Sequence, residues 1–257
     1  MHVPSYSREG DDEVSGARNI RQLHQAVGDS GGPGIPPAEG EGLLLSMPNA
    51  MIEAFWYLEI QTDVEQAYSE WVALPEAGAL DEDIVSRLQM LRDMAGNGQL
   101  SYFSPDGDTY IRGAWFAQGL GRAFIGESEA MSAMGDAVDD MVFHRISLSD
   151  DEDVPMLYAD IASVNARISD ERKPLAVELL DVITDAQTMA ASFAAGHEGQ
   201  SPQYLLGARS SVYDLLSKEE PVYGGLKAIV SDPKCRVFVV RPGYRPLLAR
   251  AAHVFLY

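Results

Sequence analysis

The sequence contains a single cysteine, Cys235, in 257 residues. One thiol excludes an internal disulfide and any metal site built from four cysteines. Because 46% of the residues are apolar, a chain of this length can bury a large core without covalent cross-links. The cysteine content therefore favours a reducing compartment, and we expect a cytoplasmic protein.

The sequence also lacks a long uninterrupted apolar run. Its most apolar window, residues 42–60, is broken by Pro48, Asn49, Glu53 and Glu59. The first residues have no basic stretch followed by an apolar one, which is the pattern of a secretory signal. We therefore expect neither a membrane span nor a secretory signal.

Positive charge is scarce. The chain has 19 lysines and arginines against 39 aspartates and glutamates, so its formal net charge is −20. A field of this sign repels the phosphates of nucleic acids and of anionic membranes, and we expect neither as a partner. The charge can keep the protein soluble, reflect a halophilic source or complement a basic protein.

Sequence motifs of known chemistry are absent as well. The chain has no G-x-S-x-G or H-E-x-x-H motif. Gly119 and Gly121 follow a predicted strand, as in a phosphate-binding loop, but the third glycine is misplaced. We therefore predict no cofactor. The histidines have no partner at a metal-ligand spacing in the sequence, and the ones considered are His24, His144, His197 and His253.

Three weak candidates for a catalytic or metal site remain. Glu53 lies in the apolar stripe of a long helix predicted over residues 48–74, where burial would raise its pKa; capping of the first turn is the alternative. Cys235 and His253 could pair as nucleophile and base, although a small buried side chain also explains Cys235. Two further acids, Asp106 and Asp108, could bind a hard cation, but the Pro-Asp-Gly sequence around them is also typical of a turn.

The spacing of apolar residues predicts an α+β fold that is predominantly helical. About six helices are expected, with two β hairpins near residues 100–116 and 227–240. Residues 1–41 are rich in glycine, proline and acids, so we predict a flexible leader with at most a short helix. Residues 43–257 then form one globular domain, with a possible small β subdomain over 224–257. The helices predicted after residue 74 run approximately over 81–96, 128–142, 155–168, 173–195 and 201–216.

The charge is distributed unevenly along the chain. From Lys227 to Arg250 there are six basic residues and one acid, Asp232, whereas the sequence before this segment is strongly acidic. The segment could dock on the acidic body of its own molecule or of a neighbour. We predict that it forms a partner-binding surface made of Lys227, Lys234, Arg236, Arg241, Arg245 and Arg250.

Together these features favour a soluble, acidic protein–protein interaction module that acts as an inhibitor, adaptor or assembly component. Its partner would be a basic protein or a second copy of the chain. An enzyme whose carboxylate or metal-assisted site lacks a sequence motif is the first alternative. An exported effector with a disordered N-terminal signal is the second.

Overall fold

The computed structural model describes residues 5–29, 38–45, 82–96, 110–147, 156–158, 162–194, 201–233 and 236–238. Its strands are β1 (Ser5–Arg8), β2 (Glu39–Leu45), β3 (Gly121–Ile125), β4 (Met141–His144), β5 (Met156–Tyr158) and β6 (Arg236–Phe238). Its α-helices are α1 (Asp12–Gly16), α2 (Ile20–Val27), α3 (Glu82–Ala95), α4 (Ile111–Ala117), α5 (Lys173–Ile183), α6 (Ala186–Phe193), α7 (Ser210–Leu216) and α8 (Val222–Val230). Between β3 and β4 lie two 3-10 helices, Ser128–Ala133 and Gly135–Asp140.

Four strands form a mixed sheet in the order β2-β3-β1-β4. β2 and β3 are parallel, with Leu45 opposite Ile125, whereas β1 is antiparallel to both β3 and β4. Ser5 lies opposite Ile125 on one side and opposite His144 on the other. The strands β2, β3 and β4 therefore end at the same edge of the sheet, and we call this row, Leu45, Ile125 and His144, the carboxyl edge. β5 and β6 form a separate parallel pair.

Helices cover both faces of the sheet, because side chains along a strand alternate between its two faces. Leu44 and Phe124 point to one face, where they join Phe116 of α4 and buried residues of α6, α7 and α8 in one apolar cluster. The neighbouring Leu45 and Ile125 are also buried but point to the opposite face. There, α1, α2 and α3 contact the strands. The fold is a mixed α/β arrangement.

The hairpin predicted near residues 100–116 is wrong where the structure describes it. Residues 111–117 form α4 rather than a strand, and residues 101–109 lie outside the described part of the chain. The helix turns Arg112 and Phe116 inward together, so packing overrides the strand preference of the local sequence. Gly113 permits this packing, because a Cβ atom there would lie 2.6 Å from the carbonyl oxygen of Ala130.

The hairpin predicted near residues 227–240 is wrong as well. Residues 227–230 are the last turn of α8, and β6 pairs with β5 in parallel instead of folding back on them. Gly224 and Gly225 lie inside α8. At Gly225 the helix passes close to the sheet, where a Cβ atom would be 3.9 Å from the Phe143 ring. The predicted α+β fold with two hairpins is therefore wrong. The observed fold is a mixed α/β fold with parallel strand pairs.

Most of the predicted leader that the structure describes is folded. β1 is an inner strand of the sheet, and the helices α1 and α2 bury Val14, Ile20 and Leu23 completely. Residues 5–29 thus belong to the folded body. The predicted extent of the globular domain over residues 43–257 stays a prediction.

The predicted helices have mixed outcomes. α3 is confirmed, with Leu88, Leu91 and Met94 buried and Gly96 ending it at φ +71°. The helix predicted over residues 155–168 is wrong, because β5 lies there. The helix predicted over residues 201–216 forms only at its end, where α7 runs from Ser210 to Leu216. The segment 128–142 forms the 3-10 helices and the start of β4 rather than one α-helix. Its large apolar side chains are nevertheless buried, namely Met131, Met134, Val138 and Met141.

The long helix predicted over residues 173–195 is two helices. Asp185 separates them and caps α6, since its side chain accepts hydrogen bonds from the backbone N–H groups of Gln187 and Thr188. The spacing of the apolar residues of α5 is that of a stripe facing the core, but these side chains are exposed by 44–66% at Leu175, Leu179, Val182 and Ile183.

The helix predicted over residues 48–74 lies outside the described residues. Within the described ranges, none of the helices combines the length and the hydropathy that a membrane crossing requires.

Candidate active site

The carboxyl edge leads directly into a polar segment. β3 ends at Ile125, and Gly126 and Glu127 connect it to the first 3-10 helix, which begins at Ser128. In open α/β sheets, ligands bind in the crevice outside the carboxyl ends of parallel strands. The end of the parallel pair β2 and β3 is therefore where this fold would hold a small molecule.

Glu127 is a buried acid at this edge, with a side chain that is only 7% exposed. Burial, and then the negative charge of Glu129, raises the pKa of Glu127 to about 7. An acid with such a pKa is present in both protonation states at neutral pH. Glu127 can therefore accept a proton or donate one.

Three neighbours complete what we call the edge cluster, made of Tyr110, Glu127, Ser128 and Glu129. The Ser128 hydroxyl is almost fully buried and donates a hydrogen bond of 3.2 Å to Oε2 of Glu129. Burial raises the pKa of Tyr110, and the charges of Glu129 and Glu127 raise it further, so the phenol lies within the field of both acids. The cluster presents two carboxyl groups and two hydroxyl groups in a partly dry setting.

Helix α4 holds the edge cluster in place. Arg112, which is 2% exposed, donates a hydrogen bond of 3.1 Å from Nη1 to the carbonyl oxygen of Leu45, the last residue of β2. One residue later, Gly113 lies against the backbone of Ala130 in the first 3-10 helix. α4 therefore ties the end of β2 to the segment that follows β3.

A second buried titratable group, His144, lies at the same edge in β4. Burial, and then the positive charge of Arg18, lowers its pKa to about 4. The imidazole is neutral at pH 7 and has no second protonation state available there. His144 is consequently a poor candidate for proton transfer at neutral pH.

The opposite edge of the sheet has a hollow of about 490 Å³. Arg8 lines it, but its guanidinium group donates to the carbonyl oxygens of Phe116, Leu120 and Gly121 and lies 4.3 Å from the centre of the Phe116 ring. The hydrogen bonds of Arg8 therefore stabilise the start of β3.

Most of the residues that the sequence singled out lie outside the described part of the chain: Glu53, Asp106, Asp108, Lys234, Cys235, Arg241, Arg245, Arg250 and His253. The catalytic and metal-binding roles considered for Glu53, Asp106, Asp108, Cys235 and His253 stay predictions. Lys227 is on α8 and forms an ion pair with Asp214 of α7, and Arg236 is in β6. Lys227 therefore already has an acidic partner within its own molecule.

The sequence reasoning missed the whole edge cluster. A usable signal existed, since the apolar run from Ala123 to Ile125 is followed at once by a glycine and two acids, Glu127 and Glu129. Reading the run as a buried strand would have placed both acids just past its carboxyl end.

A family model described as the thiaminase-1 domain matches residues 4–149, which is more than half of the chain and includes the entire edge cluster. The chain belongs to the thiaminase-1 domain family. Thiaminase-1 of Paenibacillus thiaminolyticus is 39% identical over 249 residues, covering 97% of this chain and 60% of that protein. The chain thus spans less than two thirds of the length of this relative.

Two solved structures of thiaminase I have the same fold. Thiaminase I from Bacillus thiaminolyticus superposes with a TM-score of 0.89 at 37% identity, over 99% of this chain and 71% of that one. Clostridium botulinum thiaminase I in complex with thiamin superposes with a TM-score of 0.90 at 33% identity, over the same shares of the two chains. The mixed α/β fold is therefore that of the family.

Membership of the thiaminase-1 family corrects the functional prediction. The interaction module, with its basic protein partner or self-association, is wrong because the chain belongs to an enzyme family. The family instead favours the alternative of an enzyme whose site lacks a sequence motif. The net charge of −20 misled the reasoning, since it is a property of the whole surface and identifies no partner. The cytoplasmic location and the N-terminal export signal stay predictions.

Proposed function

We propose that this thiaminase-1 domain binds thiamin and breaks it down at the edge cluster. The observation that carries the proposal is its 33% identity, over 99% of its length, to a thiaminase I solved in complex with thiamin. The edge cluster supports the location, because it combines a buried acid with a pKa of about 7 and the carboxyl end of a parallel strand pair.

The charge of the edge cluster suits this ligand. Thiamin consists of an aminopyrimidine joined through a methylene group to a thiazolium ring, which has a permanent positive charge. Glu127 and Glu129 supply negative charge to meet it, and a bound cation favours the ionised form of Glu127. Binding of thiamin should therefore lower the pKa of Glu127 and release a proton.

The bond most open to cleavage is the one between the methylene carbon and the thiazolium nitrogen, because the thiazole leaves as a neutral molecule. A nucleophile forms the new bond to the methylene carbon, and the electron pair of the broken bond stays on the thiazole nitrogen. The ionised Glu127 then takes the proton that the nucleophile loses. The nucleophile is a co-substrate of the amine, thiol or water class.

The test separates binding from turnover. Titration calorimetry with thiamin measures binding by the full chain. Chromatography then measures the loss of thiamin and the appearance of free thiazole, with water alone and with an added amine or thiol. We expect saturable binding, and production of free thiazole that rises with the nucleophile.

The controls use Glu127→Gln, which keeps the shape of the side chain but cannot take up a proton, and the exposed Glu178→Gln on α5. Absence of thiamin binding by the wild-type chain would contradict the whole proposal. Binding with equal turnover in wild type and Glu127→Gln would contradict the assignment of the reaction to the edge cluster.

A further inference from the structure

A second group of ligating side chains lies outside the edge cluster. His24 is in the last turn of α2, Asp29 follows that helix and Asp93 is in α3. One imidazole nitrogen and two carboxylate oxygens from these residues lie within 4.8 Å of one another. The group is assembled by the packing of α3 against α2, since Asp93 is far from the other two in sequence.

The geometry points to a binding site for a divalent transition-metal ion, made of His24, Asp29 and Asp93, and we propose it as such. Ligand atoms about 2 Å from a common ion lie roughly 3–4 Å from one another, so small side-chain rotations close the site. The imidazole selects against magnesium and calcium, which prefer oxygen ligands alone. Zinc, cobalt and manganese are the ions that such a mixed set takes.

The charges of the site are compatible with this assignment. Nε2 of His24 is 2.7 Å from Oδ1 of Asp29, and the amide of Gln89 donates to Oδ1 of Asp93 at 2.7 Å. Among the described residues, no lysine or arginine forms an ion pair with Asp29 or Asp93. Two carboxylates thus converge on an imidazole, and within the described residues no lysine or arginine is paired with either of them.

The hydrogen bond from Gln89 adds a supporting element. Gln89 is one helical turn before Asp93 on α3, and its amide fixes one carboxylate oxygen. Partners that orient a ligand in this way raise metal affinity, as hydrogen bonds behind the ligands commonly do. His24 and Asp93 are partly exposed and Asp29 is exposed, so water can complete the coordination.

An ion bound at this site would link α2 to α3. These helices lie on the face of the sheet opposite the large apolar cluster. An ion bound by side chains from both helices stabilises the folded state, because the unfolded chain does not bring the three ligands together.

Titration calorimetry with zinc chloride on the full, chelator-treated chain tests the proposal. We expect one zinc ion per chain and a rise in Tm with zinc. His24→Ala and Asp93→Asn should each weaken binding by about ten-fold or more and remove the rise in Tm. The matched control is Asp136→Asn, an exposed acid elsewhere, which should bind as the wild type does.

Asp93→Asn is the decisive variant, because it leaves the contact between His24 and Asp29 intact. Cobalt added to the wild type should give a visible absorption spectrum that is lost in both ligand variants, and magnesium should not compete. The proposal is overturned if the wild type binds no zinc at millimolar concentration, or if Asp93→Asn or His24→Ala binds as tightly as the wild type. Neither result depends on thiamin turnover.

Discussion

Glu127 and His144 are two buried titratable residues at the same edge of one sheet, yet burial has opposite consequences for them. Burial raises the pKa of Glu127 to about 7 and lowers that of His144 to about 4. Desolvation disfavours the charged form in both cases, and the charged form is the deprotonated acid but the protonated imidazole. The shift brings Glu127 to neutral pH and takes His144 away from it.

The two shifts bear on the proposed reaction, because of these two residues only Glu127 can exchange a proton at neutral pH. Glu127 follows the parallel strands and is accompanied by Glu129 and Tyr110, so charge and proton donors meet there. His144 ends β4 on the antiparallel side of the sheet and is kept neutral. A histidine would ordinarily be the first candidate for proton transfer at neutral pH, and in the proposed reaction Glu127 takes that place.

The largest expected effect is on turnover of thiamin. Glu127→Gln should lower kcat/KM by about 100-fold or more, the range expected when a general acid–base group is removed. In the wild type, kcat/KM should rise as the pH rises through about 7, because the ionised Glu127 is the active form. The glutamine variant should lose this dependence. Initial rates between pH 5 and 9 provide the measurement.

The paired variant for this experiment is His144→Gln. Because His144 takes no part in proton transfer, its variant should keep the wild-type pH profile, whatever the change in stability. A variant of His144 that loses the rise near pH 7, with Glu127→Gln retaining it, would reverse the two assignments.

The next effect is on the pH dependence of stability. The pKa of His144 falls from its ordinary 6.5 to about 4 in the folded state, so the unfolded chain binds more protons between these values. The contribution of His144 is fully present above about pH 6.5 and is lost as the pH falls towards 4, amounting to ~3 kcal/mol. Glu127 acts in the opposite direction, since its raised pKa favours the folded state at low pH and that benefit is lost as the pH rises from 4.5 to about 7.

Urea unfolding at several pH values between 4.5 and 7.5 separates the two contributions. His144→Leu should make the free energy of unfolding fall more steeply with rising pH than in the wild type, and Glu127→Gln should make it rise. The measured quantity is the slope of the free energy of unfolding against pH. A loss of packing energy that is equal at all pH values does not change this slope. Wild-type slopes in both variants would contradict the shifts in pKa.

The sequence predicted some of the helices, such as α3, but not how the strands of the sheet pair. α3 was evident from the spacing of Leu88, Leu91 and Met94, which is a local pattern. The parallel pairing of β2 with β3 joins residues about eighty positions apart, for example Leu45 and Ile125, and nothing in either strand specifies its partner. The edge cluster depends on that pairing, so it was not found.

The misplaced hairpins have a related cause. Gly113 falls within the first predicted hairpin, whereas in the structure it allows α4 to approach the backbone of Ala130. Gly225 lies inside α8, where a Cβ atom would make an ordinary van der Waals contact with Phe143. A glycine in a sequence indicates that space or conformational freedom is needed. Only the tertiary structure shows which of the two applies.

A smaller effect is expected from changing the support of the edge cluster. Gly113→Ala places a Cβ atom 2.6 Å from the backbone oxygen of Ala130, so α4 or the first 3-10 helix must move. We expect a loss of stability of about 1–3 kcal/mol from this overpacking. The pKa of Glu127 should fall as its surroundings open, while the acid-linked loss of stability through His144 should remain. Urea unfolding and the pH profile of turnover measure the two results.

Gly224→Ala is the matched control, because Gly224 lies in α8 with no atom within 4 Å of the added Cβ. That variant should be unchanged or more stable by about 0.5–1 kcal/mol, since alanine is the better helix former. Equal destabilisation by both substitutions would contradict the assignment of the effect to the contact with Ala130, because alanine favours the helix at both positions.

The smallest effects are expected from two buried serines. Ser128 is next to Glu127, and Ser7 is in β1, which pairs with the strand that contains His144. Ser128→Ala removes the hydroxyl that donates to Glu129, so thiamin turnover should fall a few-fold and stability by about 1 kcal/mol. Ser7 in β1 is fully buried, and its hydroxyl has no hydrogen-bond partner within the described part of the chain. Ser7→Ala should leave turnover unchanged and stability unchanged or about 1 kcal/mol higher, because an unsatisfied polar group is removed. If Ser7→Ala instead lowered turnover as much as Ser128→Ala, the β1 and β4 side of the sheet would also contribute to the reaction, and the functional contrast between Glu127 and His144 would not hold.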